Sequence, residues 1–175
     1  MPQMTDPLLA EFREEAETTR RVLQRIPPDQ LGWKPHEKSM SVGQLAIHIA
    51  NIPGRLSHVV VHQDTFEPNP ANFLPTPPKD INEVHSTFEQ SCQDAEACLS
   101  SMNDEHACSD WTLMVQGKPA FTRPRIEVLR RIMLNHWYHH RGQLSVYLRL
   151  LNVPVPVIYG RSADEGPFTQ AAAAD

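Results

Sequence analysis

The chain has 175 residues and a formal net charge of -5 at pH 7, with 40% hydrophobic and 21% charged residues. This length and composition fit a single domain over residues 1–175 with a substantial core. The acidic balance argues against a general nucleic-acid-binding protein, whose affinity comes largely from cations that neutralise phosphates. No stretch reaches the ~18 apolar residues of a membrane span, and the first residues do not resemble a signal peptide. We therefore expect a soluble, cytoplasmic protein without nucleic-acid or membrane partners.

The first predicted helix runs from about residue 7 to 26. Asp6-Pro7 has the pattern of an N-cap followed by proline at the first helical position, and apolar residues then recur at helical spacing. Pro27-Pro28 ends the helix, and the segment up to Met40 has no sustained period. The chain thus opens with an amphipathic helix and an irregular connection.

A second helix is predicted over about 41–64. Ser41 and Gln44 have the spacing of a capping box, which satisfies the first exposed backbone donors of a helix. His48 lies on the core-facing side of the apolar stripe, with Gln44 and Asn51 on adjoining turns. A ring in that position needs a hydrogen bond or a bound metal ion, because burying an unsatisfied polar group costs free energy.

Further features of this region bear on its shape. Pro53-Gly54 interrupts the pattern soon after His48 and predicts a kink. His58 and His62 lie four residues apart near the helix end, off the His48 side, and are predicted to be surface histidines. Residues 65–80 hold five prolines, which predict a long loop without regular hydrogen bonding that spans the fold or borders a site.

A third helix is predicted over about 81–102. After it, Gln116-Gly117-Lys118 indicates a short hairpin or an extended loop. The three cysteines contain no C-x-x-C pair, so reduced structural thiols are expected, and only Cys108, in a polar loop, would be reactive if exposed.

The fourth predicted helix, about 124–151, contains three histidines within five residues. His136 and His140 lie four positions apart, so both rings can point at one place. At about 100° per residue, several core-type side chains fall within about 60° of His136. They are Leu129, Ile132, Met133, Gln143, Tyr147 and Leu151. His139 offers an alternative pair with His136, but His140 lies closer to the apolar stripe, and a hydrogen-bonded core cluster and a metal site both remain open.

Two other faces of this helix carry predictions. Its arginines scatter around the circumference and are interpreted mainly as a solvated face. They are Arg123, Arg125, Arg130, Arg131, Arg141 and Arg149. A further apolar arc of Leu134, Trp137, Leu144 and Leu148 is wider than one bundle face needs, so part of it is predicted to pack across a two-fold dimer, unless helix one or three covers it.

Four helices of about 20 residues with irregular connections predict an all-α four-helix bundle with at most a minor hairpin, followed by an extended tail over 152–175. Three segments resemble the DinB/YfiT-like family of proposed metalloenzymes. They are Ser-Val-Gly-Gln-Leu-Ala-Ile-His48-Ile-Ala, Asn-His136-Trp-Tyr-His-His140-Arg-Gly-Gln-Leu and Val-Pro-Val-Pro-Val-Ile-Tyr-Gly-Arg-Ser-Ala-Asp-Glu. Their order and separation extend the resemblance from the first helix to residue 165.

The resemblance implies a bundle, often dimeric, with one divalent metal bound by His48, His136 and His140. Zinc and nickel are the first candidates and iron is another, because imidazole ligands do not select one of these metals. Three imidazoles leave coordination positions for water or substrate, as in a catalytic site. Candidates that orient the ligands or contact a metal water are Gln44, Asn51 and Gln143.

For function, the resemblance implies a small-molecule enzyme that uses a low-molecular-weight thiol such as bacillithiol, mycothiol or glutathione, as an S-transferase or isomerase. A hydrolase that uses a metal-bound water is the alternative enzyme. It would want a general base, yet no Asp or Glu lies on the histidine stripes, although Asp164 or Glu165 could fold back from the tail. A non-catalytic metal-binding stress or interaction protein is the third hypothesis.

Overall fold

The computed structural model describes residues 3–166, so residues 1–2 and the end of the predicted tail, 167–175, lie outside it. Three long helices, α1, α2 and α3, span Asp6–Leu23, Val42–His62 and Ile81–Ser101. A short helix, α4, spans Asp104–Cys108. The last helical stretch runs without a break through α5, a π-helical segment and α6, at Arg125–Val128, Leu129–Leu134 and Asn135–Leu150. The predicted helical bundle is confirmed, with helix ends within a few residues of the prediction.

A three-stranded sheet accompanies the bundle. Strands β2 and β3, at Asp110–Val115 and Lys118–Pro124, form an antiparallel hairpin. Gln116 and Gly117 connect them with φ angles of 51° and 70°, as a two-residue hairpin turn requires. The predicted hairpin is therefore confirmed.

The segment over 65–80 is more regular than predicted. Strand β1, Thr65–Phe66, pairs in parallel with β2, and Pro70–Asn72 forms a 3-10 turn. The prediction of no regular hydrogen bonding was wrong for β1 because its two residues precede the first proline and keep their backbone donors. Asp64 extends this contact, since its carbonyl oxygen accepts from the Thr112 amide at 3.0 Å.

Helix α2 begins with the predicted capping box. The Ser41 hydroxyl accepts from the Gln44 amide at 3.1 Å, and Gln44 Oε1 accepts from the Ser41 amide at 3.0 Å. The helix then continues through Pro53 to His62. Since proline lacks an N–H, the carbonyl of Ile49 has no partner four residues later within the helix. It accepts instead from the indole Nε1 of Trp137 on α6, at 3.0 Å.

Gly54 brings α2 and α3 into close contact. Its amide donates to the Ser91 hydroxyl at 2.8 Å. A Cβ at this position would lie 3.0 Å from the Ser91 backbone, closer than ordinary packing allows. Pro53 therefore allows the contact between α2 and α6, and Gly54 makes the contact between α2 and α3.

The apolar arc of the last helix is covered within the chain. Leu134, Trp137, Leu144 and Leu148 are fully buried. The Trp137 ring stacks on Phe12 of α1 with centroids 5.5 Å apart, and Phe88 of α3 lies on it at 6.2 Å. The interpretation of this arc as a dimer contact was wrong, because α1 and α3 cover it. A homodimer stays a prediction that this arc no longer supports.

Two arginines assigned to a solvated face are buried. Arg125 donates to the carbonyl of Gln63 at 2.6 Å and pairs with Asp64, which ties the start of the last helix to the end of α2. Arg141 pairs with Glu15 and donates to the Thr19 hydroxyl at 3.0 Å. The prediction failed for these two residues because partners from distant parts of the chain satisfy the charge.

The π-helical segment changes which side chains of the last helix face the core. Leu129 and Met133 are fully buried as predicted, but Ile132 is 37% exposed. A π-turn holds one more residue than an α-turn, so the predicted spacing of about 100° per residue fails there. Within the described range, no helix combines the length and hydrophobicity needed to cross a bilayer.

Candidate metal site

Three histidines from two helices meet on one side of the bundle. His48 extends from α2, and His136 and His140 extend from consecutive turns of α6. The Nε2 atoms of His48 and His136 lie 3.1 Å apart. Each of the three rings offers a nitrogen within 4.8 Å of those of the others. The His48 ring centroid lies 4.5 Å from that of His140, and those of His136 and His140 are 4.4 Å apart.

The meeting of these rings follows from how α2 and α6 pack. Trp137, next to His136, donates to the carbonyl of Ile49, next to His48. This buried hydrogen bond fixes the height of one helix relative to the other, one residue from each histidine. The same contact that compensates for Pro53 therefore places His136 opposite His48.

The cluster fits a divalent transition metal. Zinc lies about 2.0–2.1 Å from an imidazole nitrogen, so two nitrogens in tetrahedral geometry are about 3.3 Å apart. The separation of 3.1 Å between His48 and His136 is close to this value. One hydrogen bond between those rings cannot satisfy three converging imidazoles, and a cation that accepts a lone pair from each ring can.

Gln143 contacts one of the proposed ligands. Its Oε1 lies 2.7 Å from His140 Nδ1. An amide oxygen only accepts, so Nδ1 carries the proton and Nε2 keeps its lone pair. That is the tautomer a metal requires, and such a partner also fixes the ring orientation.

Replacing Gln143 with leucine should weaken metal binding without removing it. Loss of a hydrogen-bond partner behind a ligating histidine costs roughly 10–100-fold in affinity. Zinc titration against a chelating dye measures this ratio. Gln143→Glu, which keeps an acceptor oxygen, is the matched control, and equal affinities for Gln143→Leu and the unaltered protein would contradict the role.

The other two amide candidates have different partners. Gln44 forms the capping box and donates from Nε2 to the carbonyl of Pro75 at 3.2 Å, which holds the proline-rich loop against α2. Asn51 Nδ2 donates to the Ile47 carbonyl at 2.9 Å, and the residue lines the cleft beside the histidines. His139 is exposed and outside the group of converging rings, although its ring centroid lies 5.0 Å from that of His140.

The electrostatics of the cluster keep its rings neutral. Burial, followed by the neighbouring His140 and His136 rings and Arg55, lowers the pKa of His48 to about 4. Burial and the neighbouring His140 and His139 rings lower the pKa of His136 to about 4. Burial also lowers the pKa of His140, against the opposing effect of the hydrogen bond that its Nδ1 donates to Gln143. At neutral pH all three rings are therefore free of the protons that compete with a metal.

These pKa values predict that the metal-free protein loses stability in mild acid. An unfolded histidine titrates near 6.5, above the folded value, so the unfolded chain binds more protons between about pH 6.5 and 4. Stability should be unchanged above that window and fall as the pH drops through it, by on the order of 2 kcal/mol for each of the two rings, His48 and His136, at about pH 5. Urea unfolding of chelator-treated protein, once above the window and once at about pH 5, measures the loss in unfolding free energy.

The control for this experiment is the double variant His48→Gln/His136→Gln, whose side chains do not titrate. Other groups of the protein respond to acid equally in both proteins and cancel in the difference. The double variant should show the smaller loss. Identical losses would mean that these two rings do not have depressed pKa values.

The histidines lie at one wall of a cleft with a volume of about 540 Å³. Its other walls are mostly apolar and come from Met40 just before α2, from α2 itself and from the proline-rich loop. They include Met40, Ile52, Leu56, Phe66, Phe73 and Pro75. Arg55 lines the same cleft and forms no ion pair within residues 3–166. None of the described lining residues is an aspartate or glutamate.

Asp164 and Glu165 do not reach this cleft. Asp164 pairs with Arg149 and accepts from the Val155 amide at 2.8 Å, and Glu165 pairs with Arg25. The hypothesis that one of them folds back as a general base was wrong, because both carboxylates are paired with arginines that do not line the cleft. Arg55 was missed by the sequence analysis. It lies seven residues after His48, two helical turns on the same face, and that spacing could have identified it.

Sequence comparison places the chain in a known family. The sequence model of the DinB family matches residues 1–170. The chain belongs to the DinB family. This confirms the resemblance drawn from the three sequence segments.

The chain is also similar to individual DinB-like proteins. It is 24% identical over 166 residues to the uncharacterized protein YrdA of Bacillus subtilis, covering 94% of this chain and 93% of that one. A DinB-like protein from Bacillus cereus superposes with a TM-score of 0.70 at 24% identity, covering 91% of this chain and all of that one. The DinB-like protein YjoA of Bacillus subtilis gives 0.67 at 20% identity, with 90% and 100% coverage. At these identities the solved structures show the shared fold alone.

Proposed function

We propose that this DinB-family protein is a metal-dependent enzyme that uses a low-molecular-weight thiol. It acts as an S-transferase, which bonds the thiol sulfur to a small electrophile, or as a thiol-dependent isomerase. His48, His136 and His140 hold the divalent metal. The observation that carries the proposal is the convergence of three neutral imidazoles at the wall of an open, mostly apolar cleft. Zinc and nickel are the proposed metals, with iron as a further candidate.

The ligand set favours catalysis over a closed structural site. Structural zinc sites use four protein ligands, whereas three leave a position open to a small molecule. When bound, the metal supplies Lewis acidity that lowers the pKa of a thiol, so that sulfur is present as thiolate near neutral pH.

The chain's own residues account for binding the thiol and its partner. The Arg55 guanidinium has no ion pair in the described range and can bind a carboxylate of the thiol compound. The apolar wall of Ile52, Leu56 and Phe66 suits the hydrophobic body of an electrophile and excludes water. A mostly apolar cleft with the single positive side chain of Arg55 therefore suits two substrates of which one is an anion.

Hydrolysis is the weaker alternative. A hydrolase needs a general base for the attacking water. No described residue lining the cleft is a carboxylate, and Asp164 and Glu165 are paired elsewhere. A thiol reaction needs no such base, because the thiol proton is lost to solvent before attack.

Tag-free protein loaded with zinc or nickel tests the activity. The assay follows consumption of glutathione, bacillithiol or mycothiol with an aryl halide: sulfur forms the bond to the ring carbon, halide leaves with its electron pair, and the thiol proton goes to buffer. We expect thiol consumption to be faster than in a mixture of the metal, the thiol and the aryl halide without protein. His139→Ala should keep the rate and His136→Ala should lose it. Equal rates with and without protein for every thiol would overturn the proposal.

Arg55→Gln separates binding from chemistry. It should raise the KM for a carboxylate-bearing thiol and leave the metal content of the three-histidine cluster unchanged. Arg13→Gln removes an arginine of α1 from an exposed ion pair with Glu96 of α3 and is the matched control. An unchanged KM for Arg55→Gln would remove this residue from the substrate site without affecting the metal ligands.

Removing the metal should affect activity more than folding. Among residues 3–166, thirty-two apolar side chains are buried, most of them on the helices, so the bundle does not depend on an ion as a small zinc module does. We expect chelated protein to keep its helical circular dichroism and to melt cooperatively at a lower temperature. A collapsed helical signal would instead favour the non-catalytic hypothesis, in which the metal holds the bundle together.

A further inference from the structure

A second group of potential metal ligands lies beyond the cleft, near the end of α2. His58 and His62 are exposed on consecutive turns, as the sequence predicted, with ring centroids 4.8 Å apart. The structure adds Cys98 from α3, whose Sγ lies 3.7 Å from His62 Nε2. One donor atom from each residue lies within 4.8 Å of the other two.

We propose that His58, His62 and Cys98 form a second divalent-metal site, distinct from the three-histidine cluster and containing a thiolate ligand. With a Zn–S distance of about 2.3 Å and a Zn–N distance of about 2.0–2.1 Å, tetrahedral geometry places sulfur and nitrogen about 3.6 Å apart. The observed 3.7 Å fits this value. Two imidazoles and one thiolate suit zinc, and cobalt(II) is a spectroscopic probe for the same site.

The helices that carry these ligands are held at a fixed spacing. Gly54 of α2 donates to Ser91 of α3, and their backbones touch there. One turn along α2 the buried Ser57 hydroxyl donates back to the Gly54 carbonyl at 3.1 Å, so this face of α2 is packed and not free to shift. Ligands on rigid neighbouring helices are placed more accurately than ligands on loops.

The surroundings of Cys98 favour a cation once the thiol is deprotonated. The pKa of Cys98 is raised, mainly by burial, so without metal this side chain is a protonated thiol. Binding of the ion displaces this proton to solvent and forms the metal–sulfur bond without any redox change. Asp94, one turn before Cys98, lines the recess that contains His58 and Cys98, where its carboxylate can compensate the charge of a bound cation. Arg55 also lines this recess, and its positive charge opposes binding of the cation.

The two sites can be loaded independently. His48 and His58 are ten residues apart on α2, which corresponds to about 15 Å along the helix axis. Only the second site has a sulfur ligand. The spectrum of bound cobalt therefore distinguishes the two, because a thiolate produces a near-ultraviolet charge-transfer band and imidazoles do not.

The test uses reduced, tag-free, full-length protein in which His136→Ala/His140→Ala removes the first site. We expect cobalt(II) to produce the thiolate charge-transfer band and zinc to abolish it. In this background, Cys98→Ser should abolish the band. Cys108→Ser, which alters an exposed thiol elsewhere, should leave it intact.

A second variant covers the case in which Cys98→Ser disturbs the core. His62→Gln changes an exposed side chain and should reduce the band strongly while circular dichroism stays the same. Absence of the band in the background variant, or its survival in both Cys98→Ser and His62→Gln, would overturn the second site. Because the first site is absent throughout, neither result depends on the proposed thiol chemistry.

Discussion

Alanine at His136 or His140 is expected to abolish tight metal binding at the three-histidine cluster. Each change leaves two imidazoles, and two ligands do not hold a divalent metal against water. The loss should exceed the roughly 10–100-fold that removal of a hydrogen-bond partner behind a ligand costs. In the proposed enzyme, thiol consumption should fall to the rate without protein. Isothermal titration with zinc, in a Cys98→Ser background that removes the proposed second site, measures the binding directly.

His139→Ala is the control for this prediction. It removes an imidazole next to His140 from an exposed position outside the converging group. Its affinity should match that of the unaltered protein. If His139→Ala abolished binding and His140→Ala did not, the pair would be three residues apart and the assignment of His140 as a ligand would be wrong.

Replacing Arg141 with methionine is expected to destabilise the bundle by about 3 kcal/mol or more. The Arg141 side chain is 1% exposed and that of its partner Glu15 is 13% exposed, so the substitution leaves a buried carboxylate without its counter-charge. It also removes the donor to Thr19 and the cation that lies 5.0 Å from the Tyr159 ring. Urea denaturation of the metal-free protein gives the change in unfolding free energy.

Arg149→Met is the matched control on the same helix. Its ion pair with Asp164 is open to solvent, with side-chain exposures of 49% and 24%. Exposed pairs of this kind contribute little to stability, so this variant should unfold at nearly the same urea concentration as the unaltered protein. Equal losses in the two variants would mean that burial of the Arg141 pair does not decide its contribution.

The helices and the hairpin could be predicted because their signals are local. Ser41 and Gln44 lie three residues apart and cap α2 without help from the rest of the chain. Gln116-Gly117 sets the hairpin in the same way, through backbone angles that few residues adopt. The inward direction of His48 followed from helical spacing, since α2 keeps its period through Pro53.

What the sequence could not predict depends on contacts between distant segments. Arg141 looks like a surface residue until Glu15 and Tyr159 approach from α1 and the tail. Cys98 has no unusual neighbours in sequence, and only the packing of α3 on α2 brings it to His62. The same holds for Trp137, whose partner exists because a proline elsewhere left a carbonyl free.

The π-helical segment at Leu129–Leu134 has a consequence for comparing this chain with its relatives. Its extra residue behaves like an insertion accommodated inside a helix, between the buried Arg125 anchor and the histidine pair. Deleting one residue there would allow an ordinary α-helix. Every later side chain would then turn by about 100° and shift by about 1.5 Å relative to Arg125. His136 would turn away from His48. In a homologue with a gap at this point, either the contact made here by Arg125 or the position of the histidine pair must therefore be different.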